Sequence, residues 1–319
     1  MSETETPVRG PVKGALGQMG ITVSVVETPL PESQSTPNVQ FPTLLTSFPV
    51  FKPTNNRSKA DTKGMVGEEF KTSWGKVERH GPGLNIYDQD TLIAIIKLGQ
   101  RKEIVGPKSE LLIGELSGPI PPLNGEIVTH QEQENETVVI HAGSVSARQI
   151  NKFLDRDESD GNLALTRESI KRLSLQNLIF YTDKMDDPRY SGKERKVEFF
   201  KYHGDRDLKG VIDIVFPPPM VLLLRDYALI DVEQRKKLSA VGKCVQLHLA
   251  GLPRSATLVL EELMATVGAS NLTEFKRALL GRKNRIGQLE LMVEAKFLKS
   301  YKVSGNGKSE PYVLEFTKN

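Results

Sequence analysis

Residues 232–316 constrain the fold most, because their apolar spacing and turn residues read helix, strand, helix, turn, basic helix, then two strands around a Gly-rich turn. A winged helix is built in that order. At its centre, residues 258–267 form a short apolar helix, Gly268-Ala269-Ser270 a turn, and Asn271 the start of a second helix. Asn271 and Glu274 stand three apart, the spacing of a capping box, in which each side chain satisfies a backbone N–H at the helix start. The second helix is expected to span 271–285 and to carry Lys276, Arg277, Arg282, Lys283 and Arg285 against one acid, Glu274. A basic second helix after a tight turn is what the DNA major groove accepts.

The chain as a whole is only mildly basic, with a formal net charge of +3 and a pI near 8.7. Any nucleic-acid surface must therefore come from local clustering of charge. At 319 residues, 38% hydrophobic, the chain is long enough for two ordinary domains. Its one cysteine, Cys244, excludes an internal disulfide and sits in an apolar helical pattern, so a packed, inert thiol is expected. No apolar run approaches the roughly 20 residues that span a bilayer. The N-terminus has no hydrophobic signal core, and a soluble, cytoplasmic protein without membrane contact is the expectation.

Residues 1–36 are rich in Pro, Thr, Ser and Glu without an apolar period and are expected to form a disordered tail. Next, Phe41, Leu44, Leu45, Phe48, Val50 and Phe51 crowd between prolines, as in a segment that docks on its own domain or on a partner. Asp88 opens a helix with Leu92, Ile95 and Ile96 on one face. Strands are expected near 111–115, 126–128 and 137–141. Ser146 and Gln149 have capping-box spacing, and Thr166 is read as the cap of a further helix that turns Ile170 and Leu173 inward and Arg167 and Lys171 outward. Strands at 178–182 and 196–202 flank a charged tip holding Arg189, Tyr190 and Lys193. The strand 211–216 closes this unit, Pro217-Pro218-Pro219 marks a boundary, and 220–226 is read as a link. The expected fold class is α+β: a tail (1–36), a first winged-helix domain with its docking segment (37–225), and a second winged-helix domain (226–319).

Gly81-Pro82, Asp88-Gln89-Asp90-Thr91-Leu92, Arg172-Leu173, the run 230–238, Leu247-His248 and the run 273–279 resemble plasmid replication initiators of the TrfA type. The resemblance spans roughly residues 37–316. It implies a non-enzymatic protein whose tandem winged helices bind repeated sites, called iterons, at a plasmid origin. It also implies help in opening an AT-rich segment, recruitment of host replication proteins (the helicase or its loader), and exchange between a monomer and a homodimer.

The candidate contacts to double-stranded DNA are Arg148, Thr166, Arg167, Lys171, Arg189 and Lys193 in the first unit, and Thr273, Lys276, Arg277, Lys283, Arg285 and Lys308 in the second. Helical geometry places Phe275, Leu279, Ile286, Leu289 and Val293 on a buried face, which turns Thr273, Lys276, Arg277 and Lys283 outward and Arg282 inward. Arg277 is the first choice for a base contact, and Lys308, in the expected wing turn, for a phosphate contact. The bland alternative for each is a solvated charge on a helix. The run 288–292, Gln-Leu-Glu-Leu-Met, also looks like a peptide that holds the sliding clamp, although Leu289 falls on the buried face.

Signals for catalysis fail. A strand-cleaving initiator needs a His-x-His metal pair, whereas His130 and His141 are eleven positions apart. Gly307-Lys308-Ser309 mimics the end of a phosphate-binding loop, but the first glycine that loop requires is replaced by Lys302. No catalytic residue, cofactor or metal is expected. Besides an initiator, the pattern leaves open a winged-helix transcriptional repressor and a protein-interaction adaptor.

Overall fold

The computed structural model describes residues 24–27, 38–54, 67–72, 75–99, 102–107, 137–181, 195–282, 285–307 and 309–319. The strands expected near 111–115 and 126–128, and the candidate contacts Arg189, Lys193, Lys283 and Lys308, lie outside the described residues.

The described chain is mixed α and β, with antiparallel sheets throughout. In order it runs β1 (Ser24–Glu27), β2 (Asn38–Pro42), a 3-10 turn (Thr43–Thr46), β3 (Glu68–Thr72), β4 (Gly75–His80), α1 (Ile86–Gly99), β5 (Lys102–Pro107) and β6 (Thr137–Ser146). Then come α2 (Ala147–Phe153), α3 (Asp160–Ser174), β7 (Asn177–Tyr181), β8 (Arg195–Glu198), β9 (Lys201–His203), β10 (Val211–Phe216) and α4 (Pro218–Arg225). The C-terminal part holds β11 (Tyr227–Asp231), α5 (Val232–Lys236), α6 (Ala240–Gly251), β12 (Ser255–Val259), α7 (Leu260–Thr266), α8 (Leu272–Leu280), β13 (Gly281–Arg282), β14 (Arg285–Ile286), α9 (Gln288–Glu294), β15 (Leu298–Ser304) and β16 (Val313–Lys318).

Local chemistry explains most starts. Ser146 and Gln149 cap α2 reciprocally, as their spacing predicts. At Asn271 only half of a box forms: its side chain accepts from the Glu274 N–H at 3.0 Å, while the Glu274 carboxylate accepts from Arg277 instead. Four expectations are corrected. Part of the expected tail, β1, pairs with β5. The helix expected to begin at Thr166 begins at Asp160, so Thr166 lies inside α3 and is fully buried. The expected link 220–226 belongs mostly to α4, which starts on Pro218 and buries Met220, Val221, Leu223 and Leu224. Proline is tolerated there because the first helical turn has no internal acceptor for its missing N–H. Finally, the long basic helix stops at Leu280.

The sheets divide the chain. One is β1-β5-β6-β10-β9, a second β3-β4-β7-β8, and a third, in the C-terminal part, β12-β16-β15. Both halves set helices between a strand and a later hairpin, α2 and α3 before β7–β8 and α7, α8 and α9 before β15–β16, yet β6 lies in a different sheet from β7–β8, whereas β12 pairs directly with β16. The halves therefore share element order more closely than sheet topology. One apolar core gathers Phe41, Leu92, Ile95, Ile170, Leu173, Phe199, Phe200 and Phe216; a second gathers Val245, Leu260, Phe275, Leu279, Leu289, Met292 and Phe316.

The docking segment belongs to the first core. Strand β2 pairs with β11, and Phe41, Leu45, Phe48, Val50 and Phe51 are all buried, so the segment docks on its own chain. The His248 ring nitrogen Nδ1 donates to the Thr46 carbonyl at 2.8 Å. Cys244 is buried nearby, and loss of hydration pushes its thiol up to about 12, which leaves it inert at neutral pH.

The first turn of α1 is a polar hub. Asn85 caps it, accepting from the Tyr87 N–H at 2.9 Å, and the Asp88 carboxylate accepts from the Asn85 N–H at 3.0 Å. Asp88 also accepts from Ser169 at 2.6 Å and Arg172 at 2.7 Å, both on α3. Two residues on, Asp90 accepts from Arg235 Nε of α5 at 2.7 Å and from Lys243 Nζ of α6 at 2.6 Å. Arg235 is 2% exposed and gives its remaining donors to Gln89 and to the Lys243 carbonyl. Burial pushes the Asp90 carboxyl up, but the Arg235 and Lys243 charges outweigh it and hold the group below its ordinary range.

Removing one member of a buried ion pair strands the others, so Asp90→Ala should lower the unfolding free energy by about 3 kcal/mol in urea denaturation. Because the folded value is depressed, this stabilisation is present above the ordinary aspartate pKa of 3.8 and is lost as pH falls through the lower folded value. An Asp90→Ala variant should therefore show a shallower acid-side loss of stability than the parent chain.

Candidate nucleic-acid interface

In the C-terminal unit the turn after α7 leads into α8, whose buried side is formed by Phe275 and Leu279. Helical spacing then leaves Thr273, in the first turn, and Arg277, in the last, exposed on one face of the helix. Arg277 is held by Glu274 at 2.6 Å. Exposed pairs of this kind contribute about 0–1 kcal/mol, so a phosphate or base edge can displace the carboxylate at small cost. Lys276 has a different role: its Nζ lies 2.8 Å from the Tyr312 hydroxyl and 4.1 Å from the ring centroid. It braces α8 against the strand that follows the 305–307 turn. Leu260 N–H donates to the Tyr312 carbonyl at 2.8 Å, so the start of α7 is tied to the same point.

The helix ends where its backbone must. Gly281 adopts φ 81°, and a Cβ there would fall on the Arg285 carbonyl oxygen; one at Gly287 would fall on the Leu279 carbonyl oxygen. Between these glycines the chain makes the β13–β14 hairpin instead of continuing the helix. Arg282, expected to project inward, is exposed, and Ile286, expected on the buried face, is 54% exposed. Arg285 is exposed on the hairpin and not on a helix. The restarted helix α9 buries Leu289 and Met292 completely and leaves Gln288 only 8% exposed, so the run 288–292 has its apolar side chains committed to the core.

The first unit is less cationic than its sequence implies. Arg148 is paired with Glu158 at 3.1 Å and Lys171 with Glu168 at 3.2 Å, while Arg167 Nε donates to the Leu208 carbonyl at 3.1 Å. Asp157 and Asp160 are exposed beside the same helix start. Thr166 faces the interior, where it donates to Asn151 at 2.5 Å and sits 2.8 Å from the Tyr87 hydroxyl. It is withdrawn from the DNA-facing set. Arg156 was missed by sequence reasoning: it lies 3.6 Å over the Tyr87 ring and donates to the Tyr87 carbonyl, beside the α1 hub. Among the described residues no three His, Cys, Asp or Glu side chains converge as metal ligands, and no helix is long and apolar enough to cross a membrane.

No family model matches the chain, and no curated protein matches it in sequence. Among solved structures, a crystal structure of domains 2 and 3 of RctB aligns with a TM-score of 0.51 at 13% identity, covering 87% of this chain and 98% of that one. A second crystal structure of RctB domains 2–3 aligns at 0.48 and 11% identity, covering 87% and 97%. The first alignment runs across both halves of the chain, and at this identity it establishes a shared fold.

Because Gly281 needs both its positive φ and its bare α-carbon, Gly281→Ala should cost more than about 1 kcal/mol in chemical denaturation.

Proposed function

We propose that this protein binds double-stranded DNA through the basic side of its C-terminal unit and initiates replication of the replicon that carries it. The observation that carries the reading is α8: capped by Asn271, braced to the wing strand through Lys276 and Tyr312, and exposing Thr273 in its first turn and Arg277 in its last on one face. A helix held by its apolar face, with polar donors along the opposite face, is an arrangement that can enter a major groove. The sheet order β12-β16-β15, with α7 and α8 placed after β12, supports reading this unit as a winged helix. The resemblance to TrfA-type initiators supports origin repeats as the target and host replication proteins as partners. The fold likeness to RctB domains 2 and 3 supports treating both halves as one architecture.

The first unit is assigned a positioning part. Its candidate contacts Arg148, Arg167 and Lys171 are paired with acids or a carbonyl of the chain itself, and the hub on α1 fixes it against α5 and α6. A repressor would use the same reading head, and one experiment separates the two. A replicon carrying this gene and its flanking DNA is introduced into a host that cannot otherwise maintain it. Survival only with the gene intact supports an initiator; survival regardless of the gene rejects it.

At the level of single residues, a bidentate Arg277–guanine contact discriminates by about 1–3 kcal/mol, so Arg277→Ala should flatten the preference for flanking over mixed-sequence DNA. Binding by the parent chain should fall steeply between about 50 and 200 mM salt, and a flat salt response would favour a protein-interaction adaptor.

A further inference from the structure

The β13–β14 hairpin projects beside α8 without a part in the major-groove contact proposed for that helix. Its register sets Arg282 directly opposite Arg285. Like charges facing each other across an antiparallel pair destabilise it, and among the described residues neither arginine side chain has an ion pair or hydrogen bond within the chain. Strand alternation turns Ile286 to the opposite face of the ribbon. Leu280 and Ile286, 38% and 54% exposed, flank the arginines at the base of the hairpin. Gly281 and Gly287 pin that base to the end of α8, so the arginine pair is carried at a fixed place relative to Thr273 and Arg277. Two facing cations on a narrow ribbon, with an apolar side chain behind them, are complementary to a groove walled by phosphates.

We infer that the β13–β14 hairpin is a second DNA-contacting element, which places Arg282 and Arg285 in the minor groove beside the major groove entered by α8. The inference rests on the DNA-binding reading. Minor-groove arms combine arginine with apolar wedges in this way, and a narrow A·T-rich groove concentrates the negative potential that attracts an arginine pair.

The test uses the full chain and an A·T-rich duplex of about three helical turns, followed by fluorescence anisotropy over a range of salt concentrations. An Arg282→Ala/Arg285→Ala variant is expected to lower the salt slope by about two units, one for each phosphate that the variant leaves without its cation. Netropsin, which fills the A·T minor groove, should weaken the parent chain about tenfold and leave the double variant nearly unaffected. Ile286→Ser should weaken binding severalfold at an unchanged slope. An unchanged slope in the double variant, with Arg277→Ala still impaired, overturns the hairpin assignment and leaves the DNA-binding reading standing. A lowered slope with netropsin sensitivity retained overturns the minor-groove placement, and an Ile286→Ser variant equal to the parent removes the apolar contact. Absence of salt-dependent binding by the parent chain sinks the underlying reading and the hairpin with it.

Discussion

Asp90, shared between Arg235 and Lys243, is the contact on which the arrangement of the two halves depends. An acid on α1 meets cations from α5 and α6, while its near neighbour Asp88 meets Ser169 and Arg172 from α3. One turn of helix is thereby fixed to both sides of the molecule. Burying such charges gains little net free energy, because desolvation nearly offsets their attraction. What it supplies is geometry: a shift of either half leaves a charged group buried without a counter-charge. Around this hub, β2 adds a strand to β11 and the Thr43–Thr46 turn packs on α6, so apolar burial supplies the affinity and the ion pairs supply the alignment.

The two halves differ in what they present to a ligand. In the first, cations are neutralised by nearby acids or spent on a backbone carbonyl. In the second, Arg277 is likewise held by an exposed acid, and the difference is the hairpin, which leaves Arg282 and Arg285 facing each other. In a chain with a net charge of only +3, the facing arginines of the hairpin form a local concentration of positive charge. Strong local fields with a small global one favour site binding over indiscriminate adhesion to polyanions.

Much of this is legible from residues alone where the signal is local. The Ser146–Gln149 cap, the Asn271 cap, the buried stripe of Leu92, Ile95 and Ile96, and burial of Cys244 all follow from short-range spacing or side-chain type. Sequence reasoning errs where a backbone requirement or a distant partner decides. The 3.6-residue period continues through Gly281 and places Arg282 inside, but two glycines with backbone packed against their α-carbons break the helix there. Thr166 has the chemistry of a cap, yet Asn151 and Tyr87 hold it within α3. The residues after the triple proline read as a link because proline cannot continue a helix, and here it starts one. Asp88 stands out as a helix start and Gln89, Asp90, Arg172 and Arg235 only by resemblance; their meaning is the hub, which joins segments up to 153 residues apart and has no local signature.

Hydrogen exchange of the full chain, with and without duplex DNA from beside its gene, tests the central claim most directly. The account predicts slowed exchange on binding across residues 271–286, covering the start of α8 and the hairpin, with smaller changes over α2 and α3. Protection confined to the first unit, or none at all under conditions where DNA binds, would contradict it.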